Sequence, residues 1–170
     1  MNKLKLGLWV AALIFALDQG HKWYMISVLD IADKSPILLL PFFSLVMVWN
    51  PGISFGMFGG LDYSHYIFTG LAVAISGFLV FWLRSVTQTV SATAIGFIIG
   101  GALGNAVDRL RFGAVADFLD FHVGMHHWPA FNIADASIFT GAVILCIHSI
   151  WFTEEERKPA KKATKKPKKQ

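Results

Sequence analysis

The chain has 170 residues and is poor in both charge and cysteine. Only 15% of its residues are Asp, Glu, Lys or Arg, against about 25% in an average soluble domain. That scarcity excludes a disordered chain and a nucleic-acid module. Cys146 is the only cysteine, so neither an intrachain disulfide nor a disulfide scaffold is available. No lysine follows Gly100-Gly101-Ala102-Leu103-Gly104, which excludes a phosphate loop there. No H-E-x-x-H occurs, and His122, His126 and His127 read as loop histidines, with no metal expected. Glutamate is missing until Glu154, Glu155 and Glu156.

What is present in excess is apolar. Hydrophobic residues make up 55% of the chain and its mean hydropathy is +0.54. That balance points to an integral membrane protein in one domain. The net charge of +4 is unevenly placed. Residues Glu154–Gln170 hold eight basic and three acidic residues, and the first 153 hold seven basic and eight acidic, all aspartates. The expected organisation is one membrane-embedded domain over 1–153 and a basic cytoplasmic tail over 154–170.

A spanning helix needs about 20 apolar residues. Tyr66–Leu83, Val86–Val107 and Ala136–Phe152 meet or approach that length without a charge. Leu6–Leu17 reaches it only by continuing through Asp18 and Lys22. With no small-x-small cleavage site after it, this segment reads as a retained helix. Four spans are therefore expected, at about 6–25, 66–83, 88–107 and 132–152. Ser35–Leu61 is also uncharged, but Pro36, Pro41, Pro51, Gly52, Gly56, Gly59 and Gly60 interrupt it. Its β-prone centre, Phe42–Trp49, predicts strand and loop at the membrane surface. Four spans put Lys3, Lys5, Arg84 and the tail on one side, the cytoplasmic one by the positive-inside rule. Trp23, Trp82 and Trp151 fall near span ends, as an aromatic belt does. Gly96, Gly100 and Gly104 repeat on one helix face and predict close intramolecular packing. Cys146, within the fourth span, reads as a small packing residue.

Ionisable groups at membrane depth are costly and mark function. Asp18 and Lys22 close the first span, Asn105, Asp108 and Arg109 the third; Asp117 and Asp120 follow, and Asn132 and Asp135 open the fourth. All converge on the face opposite the tail. Plain structural readings compete. Asp18 and Lys22 form an i,i+4 pair, Asp108 and Arg109 could end a helix in solvent, and Asn132 with Asp135 suits a capping box. Asp30, Asp33, Asp62 and Asp120 read as ordinary outer-face acids. Asp117 and Asp135 sit in apolar flanks that neither a loop nor a cap requires. Two carboxylates in one partly dry site would split their pKa values, one acting as base and the other holding a proton. Gly52-Ile53-Ser54-Phe55-Gly56 matches a nucleophile elbow, but the strand-turn-helix context is missing.

The blocks Asp18-Gln19-Gly20-His21-Lys22, Trp49-Asn50-Pro51-Gly52-Ile53-Ser54-Phe55, Gly100 to Arg109, Val115-Ala116-Asp117-Phe118 and Phe131 to Ser137 occur in that order. Order and spacing resemble bacterial lipoprotein signal peptidase, or signal peptidase II. The resemblance implies an all-α membrane protein of four transmembrane helices with a small extracytoplasmic β-cradle, near Phe42–Phe58, and a short periplasmic helix, near Arg111–His122. It implies an intramembrane aspartyl endopeptidase that cuts diacylglyceryl-modified prolipoproteins just before the lipidated cysteine. Asp117 and Asp135 match the catalytic pair. Asn50, Gly52, Asn105, Arg109 and Asn132 match substrate-binding positions, and Asp18 and Lys22 match structural support. No cofactor is implied. The partners are the prolipoprotein and membrane lipids, with no nucleic acid, for a monomer in the bacterial inner membrane. His21, Pro51 and Ser54 depart from the residues common in the family. Against a proton-linked transporter, the polar groups gather at one face and no inverted repeat is visible.

Overall fold

The computed structural model describes residues 2–52 and 63–157. The expectations for Ser54, for Phe55–Phe58 of the cradle, for Asp62 and for the lysines of the tail lie outside these residues. The order is α1 (Lys3–Trp23), a π-helical turn (Tyr24–Val28), α2 (Ile31–Lys34), β1 (Ile37–Leu40), β2 (Phe43–Asn50), α3 (Ser64–Leu83), α4 (Thr89–Phe112), β3 (Val115–Val123), β4 (His126–His127) and α5 (Ile133–Arg157).

Among the described residues, three helices have the length and hydropathy to cross a membrane: α3 with mean hydropathy 2.0, α4 with 1.6 and α5 over Ile133–Ile150 with 1.8. They differ in burial. Over half of the α4 window (56%) is buried, against 22% for α3 and 17% for α5, so α4 is the central helix. The outward faces carry large apolar side chains, including Phe78 and Phe81 on α3 and Phe139 on α5. Lipid favours such a surface, since burying it in protein gains nothing over hydrocarbon. Helix α1 exposes Trp9, Leu13 and Leu17 in the same way, while Asp18 and Lys22 turn inward and are buried.

Small residues set the spacing of α4 from its neighbours. A Cβ on Gly96 would meet the Gly7 carbonyl at 2.5 Å, and one on Gly100 would meet the Ala11 carbonyl at 2.6 Å. A Cβ on Gly104 would collide with the Asp18 carboxylate. The glycine face is therefore used within the chain, against α1. On the other side, Gly101 packs against Ala134 and Ser137, and Gly141 of α5 against the Ala94 carbonyl. Leu79, Leu83, Ala92, Ile95 and Ile99 fill the core between α3 and α4. Cys146 does not pack there: it is exposed, on a helix with the length and hydropathy to cross a membrane.

The four strands form one antiparallel sheet in the order β1-β2-β3-β4. β1 and β2 confirm the strand reading of Ser35–Leu61 over its described part. The expected short helix at Arg111–His122 is not there. Helix α4 runs to Phe112 and ends at Gly113, whose φ of +73° suits a glycine and whose N–H reaches the Arg109 carbonyl. From Val115 the chain is strand β3, paired with β2 from Asn50↔Val115 to Phe43↔Phe121. Val115, Phe118, Phe121 and Val123 favour a pleated surface, and the ladder satisfies backbone groups that a short helix would leave open. The expectation of a mostly helical body with a small sheet thus holds, and the short helix is the part of it that the structure replaces with strand. Met25, Ile31, Ala116 and Phe118 form a second small core beneath the sheet.

Candidate active site

The polar residues gather where α1, α4, β3 and the start of α5 meet. Lys22 lies at the centre of the inner part. Its ammonium pairs with Asp18 Oδ2 at 2.9 Å and Asp108 Oδ2 at 2.7 Å, and donates to Asn105 Oδ1 at 3.1 Å. All four residues are buried. Each carboxylate also holds backbone. Asp18 Oδ1 accepts from the Ala134 N–H at 2.9 Å, and Asp108 Oδ2 from the Ala116 N–H at 3.2 Å. This ionic core therefore ties α1 and α4 to the first turn of α5 and the start of β3. The reading of Asp108 as a solvated helix end is thereby excluded. Gln19 adds a link that sequence reasoning missed: its amide donates to Asp18, Asp108 and the Gly104 carbonyl. It lies inside the Asp18–Lys22 block, so its position was visible and its role was not.

Asn132 and Asp135 form the reciprocal cap at the start of α5. The Asp135 N–H donates to Asn132 Oδ1 at 2.9 Å, and the Asn132 N–H to Asp135 Oδ2 at 3.3 Å. The structural reading of these residues is correct, but it does not exhaust them. The Asn132 side-chain amide also donates to Asp117 Oδ1 at 2.7 Å and Asn105 Oδ1 at 3.2 Å. Asn105 in turn donates to Asp135 Oδ1 at 2.7 Å. The register is fixed next door, where Phe131 bridges Leu119 through two backbone hydrogen bonds and its carbonyl also accepts from the Phe118 N–H. That bridge sets β3 beside the start of α5 and brings Asp117 to Asn132.

Asp117 is buried on β3, opposite Val48. Its second oxygen, Oδ2, accepts from the Asn50 amide at 3.0 Å. Asn50 is held by the Gly52 N–H at 2.9 Å, an Asx-type turn. Gly52 has φ +94°, and a Cβ there would meet the Phe68 ring at 3.0 Å; both conditions favour glycine. Arg109 lies over the same ring, 5.6 Å from its centroid, and donates to the Asn105 carbonyl at 3.4 Å. Its buried Nε has no partner among the described residues. Burial first, and then the neighbouring Asp135 charge, push the Asp117 carboxyl up to about 7. The bonds from Asn50 and Asn132 oppose that rise without cancelling it. Asp135 is half-buried and lines an apolar cavity of about 330 Å³ with Trp128, Phe131, Ala136, Phe139 and Thr140.

All nine candidate positions thus fall in one network: Asp117, Asp135, Asn50, Gly52, Asn105, Arg109, Asn132, Asp18 and Lys22. Asp120 is a correction. It is buried, not an outer-face acid, and binds His127 across the β3–β4 hairpin at 2.9 Å. Asp30 and Asp33 are exposed as expected. Among the described residues, no three His, Cys, Asp or Glu side chains converge as a metal-holding group.

A helical membrane protein with a carboxylate pair in a buried amide network is the class that this fold and cluster define. The model of the family signal peptidase (SPase) II matches residues 10–151. The lipoprotein signal peptidase of Methylocella silvestris is 44% identical over 152 residues, which is 89% of each chain. That of Psychromonas ingrahamii is 43% identical over 157 residues, 91% of this chain and 88% of the relative. A solved bacterial membrane enzyme superposes with a TM-score of 0.75 at 26% identity, over 91% of this chain and 93% of the other. The chain belongs to the signal peptidase II family, and it is a peptidase.

Proposed function

We propose that the chain removes signal peptides from diacylglyceryl-modified prolipoproteins, using water activated between Asp117 and Asp135. The observation that carries this reading is the double anchoring of Asn132, bonded to Asp117 through its amide and to Asp135 through its cap. The scissile carbonyl sits between the two carboxyls. One aspartate takes a proton from water as its oxygen attacks the carbonyl carbon. The other, protonated, donates a hydrogen bond to the developing oxyanion. Collapse of the tetrahedral intermediate breaks the C–N bond, and the leaving amine takes a proton from the pair. No acyl-enzyme forms. An Asp117 carboxyl raised to about 7 supports a pair that holds one proton near neutral pH.

The remaining residues divide by reach. Asn50, Gly52, Asn105, Arg109 and Asn132 bind and orient the substrate backbone around the dyad. Asp18 and Lys22 brace the helices beneath. The apolar cavity at Asp135 gives the substrate's apolar chain a path from lipid. Helix α1 is the fourth span. Its exposed stripe of Trp9, Leu13 and Leu17 supports this, with Asp18 and Lys22 neutralised inside. With four spans, both termini are cytoplasmic, residues 1–153 form one catalytic unit, and 154–170 form a basic anchor. The site faces the periplasm of the inner membrane, and the enzyme acts as a monomer that binds no nucleic acid.

The test is a gel-mobility assay of detergent-purified protein with a prolipoprotein, lipidated and unlipidated, in EDTA. Cleavage of the lipidated form alone supports the reading. Equal cleavage of both, or EDTA-sensitive cleavage, overturns it.

A further inference from the structure

The sheet face turned away from Asp117 carries a second ordered polar group. Side chains alternate along β3, so Asp120 and His122 point opposite to Asp117. The register places Ser44 across from Asp120 and His127 across from His122. Four polar side chains from three strands therefore share one face. They line an open cavity of about 750 Å³, with Trp128 among its other walls.

Their hydrogen bonds orient the two imidazoles. His127 Nδ1 lies 3.0 and 2.9 Å from the two oxygens of Asp120. A carboxylate only accepts, so Nδ1 carries the proton, which leaves Nε2 as the nitrogen able to bind a ligand. His122 Nε2 pairs with Ser44 Oγ at 3.0 Å, which leaves Nδ1 as its second nitrogen. The rings stack at 5.0 Å with planes 30° apart. Histidine ligands commonly hand their other ring N–H to a carboxylate or similar acceptor, which fixes the tautomer and raises basicity.

We propose that His122 and His127 form a two-nitrogen site for a borderline divalent transition metal, with Cu²⁺ the tightest by the usual order of stability. Water completes the coordination, consistent with no third protein ligand converging among the described residues. Asp120 and Ser44 are positioning residues. The linear spacing of the histidines shows no metal motif because the hairpin, not a helix, brings them together. The site stands apart from peptide cleavage and needs no part of the dyad.

The test uses full-length, tag-free protein in detergent, titrated with CuCl₂ against a weak competitor. One equivalent should bind, with imidazole nitrogen couplings in pulsed EPR, and Zn²⁺ should compete. His122→Gln and His127→Gln should each weaken binding at least tenfold. Asp120→Asn should weaken it by about 10–100-fold, the usual cost of losing such a partner. His126→Gln, on the opposite face of β4, should leave it unchanged. His127 is largely exposed, so its variant keeps the fold; elution as wild type checks this. No binding by the wild type, or unchanged binding in the His122→Gln/His127→Gln double variant, overturns the proposal.

Discussion

Asn132 donates its side-chain amide to Asp117 at 2.7 Å while its Oδ1 caps the N–H of Asp135 at 2.9 Å. One short side chain therefore fixes the distance between β3 and α5 at the candidate dyad. Asn132→Ala removes a helix cap, worth about 1 kcal/mol, and a bond to a carboxyl, worth about 1.5–3 kcal/mol. The expected outcome is a lower melting temperature and a 10- to 100-fold loss of kcat on lipidated prolipoprotein. An unchanged kcat would remove Asn132 from the site.

The Asp117 carboxyl titrates near 7 in the folded protein, well above its usual 3.8. A raised carboxyl favours the folded state while protonated. Its contribution is full below about pH 4 and is lost as pH rises to about 7. Asp117→Asn has no such titration. The melting temperature of this variant relative to wild type should therefore climb from pH 4 to pH 8, and wild-type cleavage should decline as pH passes 7. Melting curves and initial rates across that range check both.

Lys22 neutralises two buried aspartates at once. Lys22→Met leaves them uncompensated, and breaking a buried pair costs about 3–5 kcal/mol. The variant should accumulate poorly and melt early. Adding Asp108→Asn should restore part of the loss, because one stranded charge is gone.

A Cβ at Gly104 points into the Asp18 carboxylate. Gly104→Ala should disturb the Asp18–Lys22 pair and lower both stability and cleavage. Gly113→Ala, where a Cβ meets nothing within 4 Å, strains only a backbone of φ +73°. It should cost about 1 kcal/mol in melting experiments and leave kcat intact.

Much of this arrangement is legible in the sequence. The long uncharged runs mark α3, α4 and α5, because lipid demands them. The prolines and β-prone centre of Ser35–Leu61 announce β1 and β2. The aspartates stand out as residues that membrane depth makes costly. What is not legible depends on pairing between distant segments. Whether Arg111–His122 is helix or strand is decided by the β2 edge that receives it. Asp120 becomes buried because His127 folds back over it, and Asp108 because Lys22 reaches it from α1. Asn132 and Asp135 looked like a cap and are one; only the three-dimensional approach of Asp117 and Asn105 gives them a second role.

The central claim is that Asp117 and Asp135 together activate water. Its most direct measurement is cleavage of a lipidated prolipoprotein by purified Asp117→Asn and Asp135→Asn, each verified as folded by circular dichroism and elution volume. Each variant should lose at least about 100-fold in rate, the lower range for acid–base catalysis. Wild-type rates from either folded variant would contradict the account.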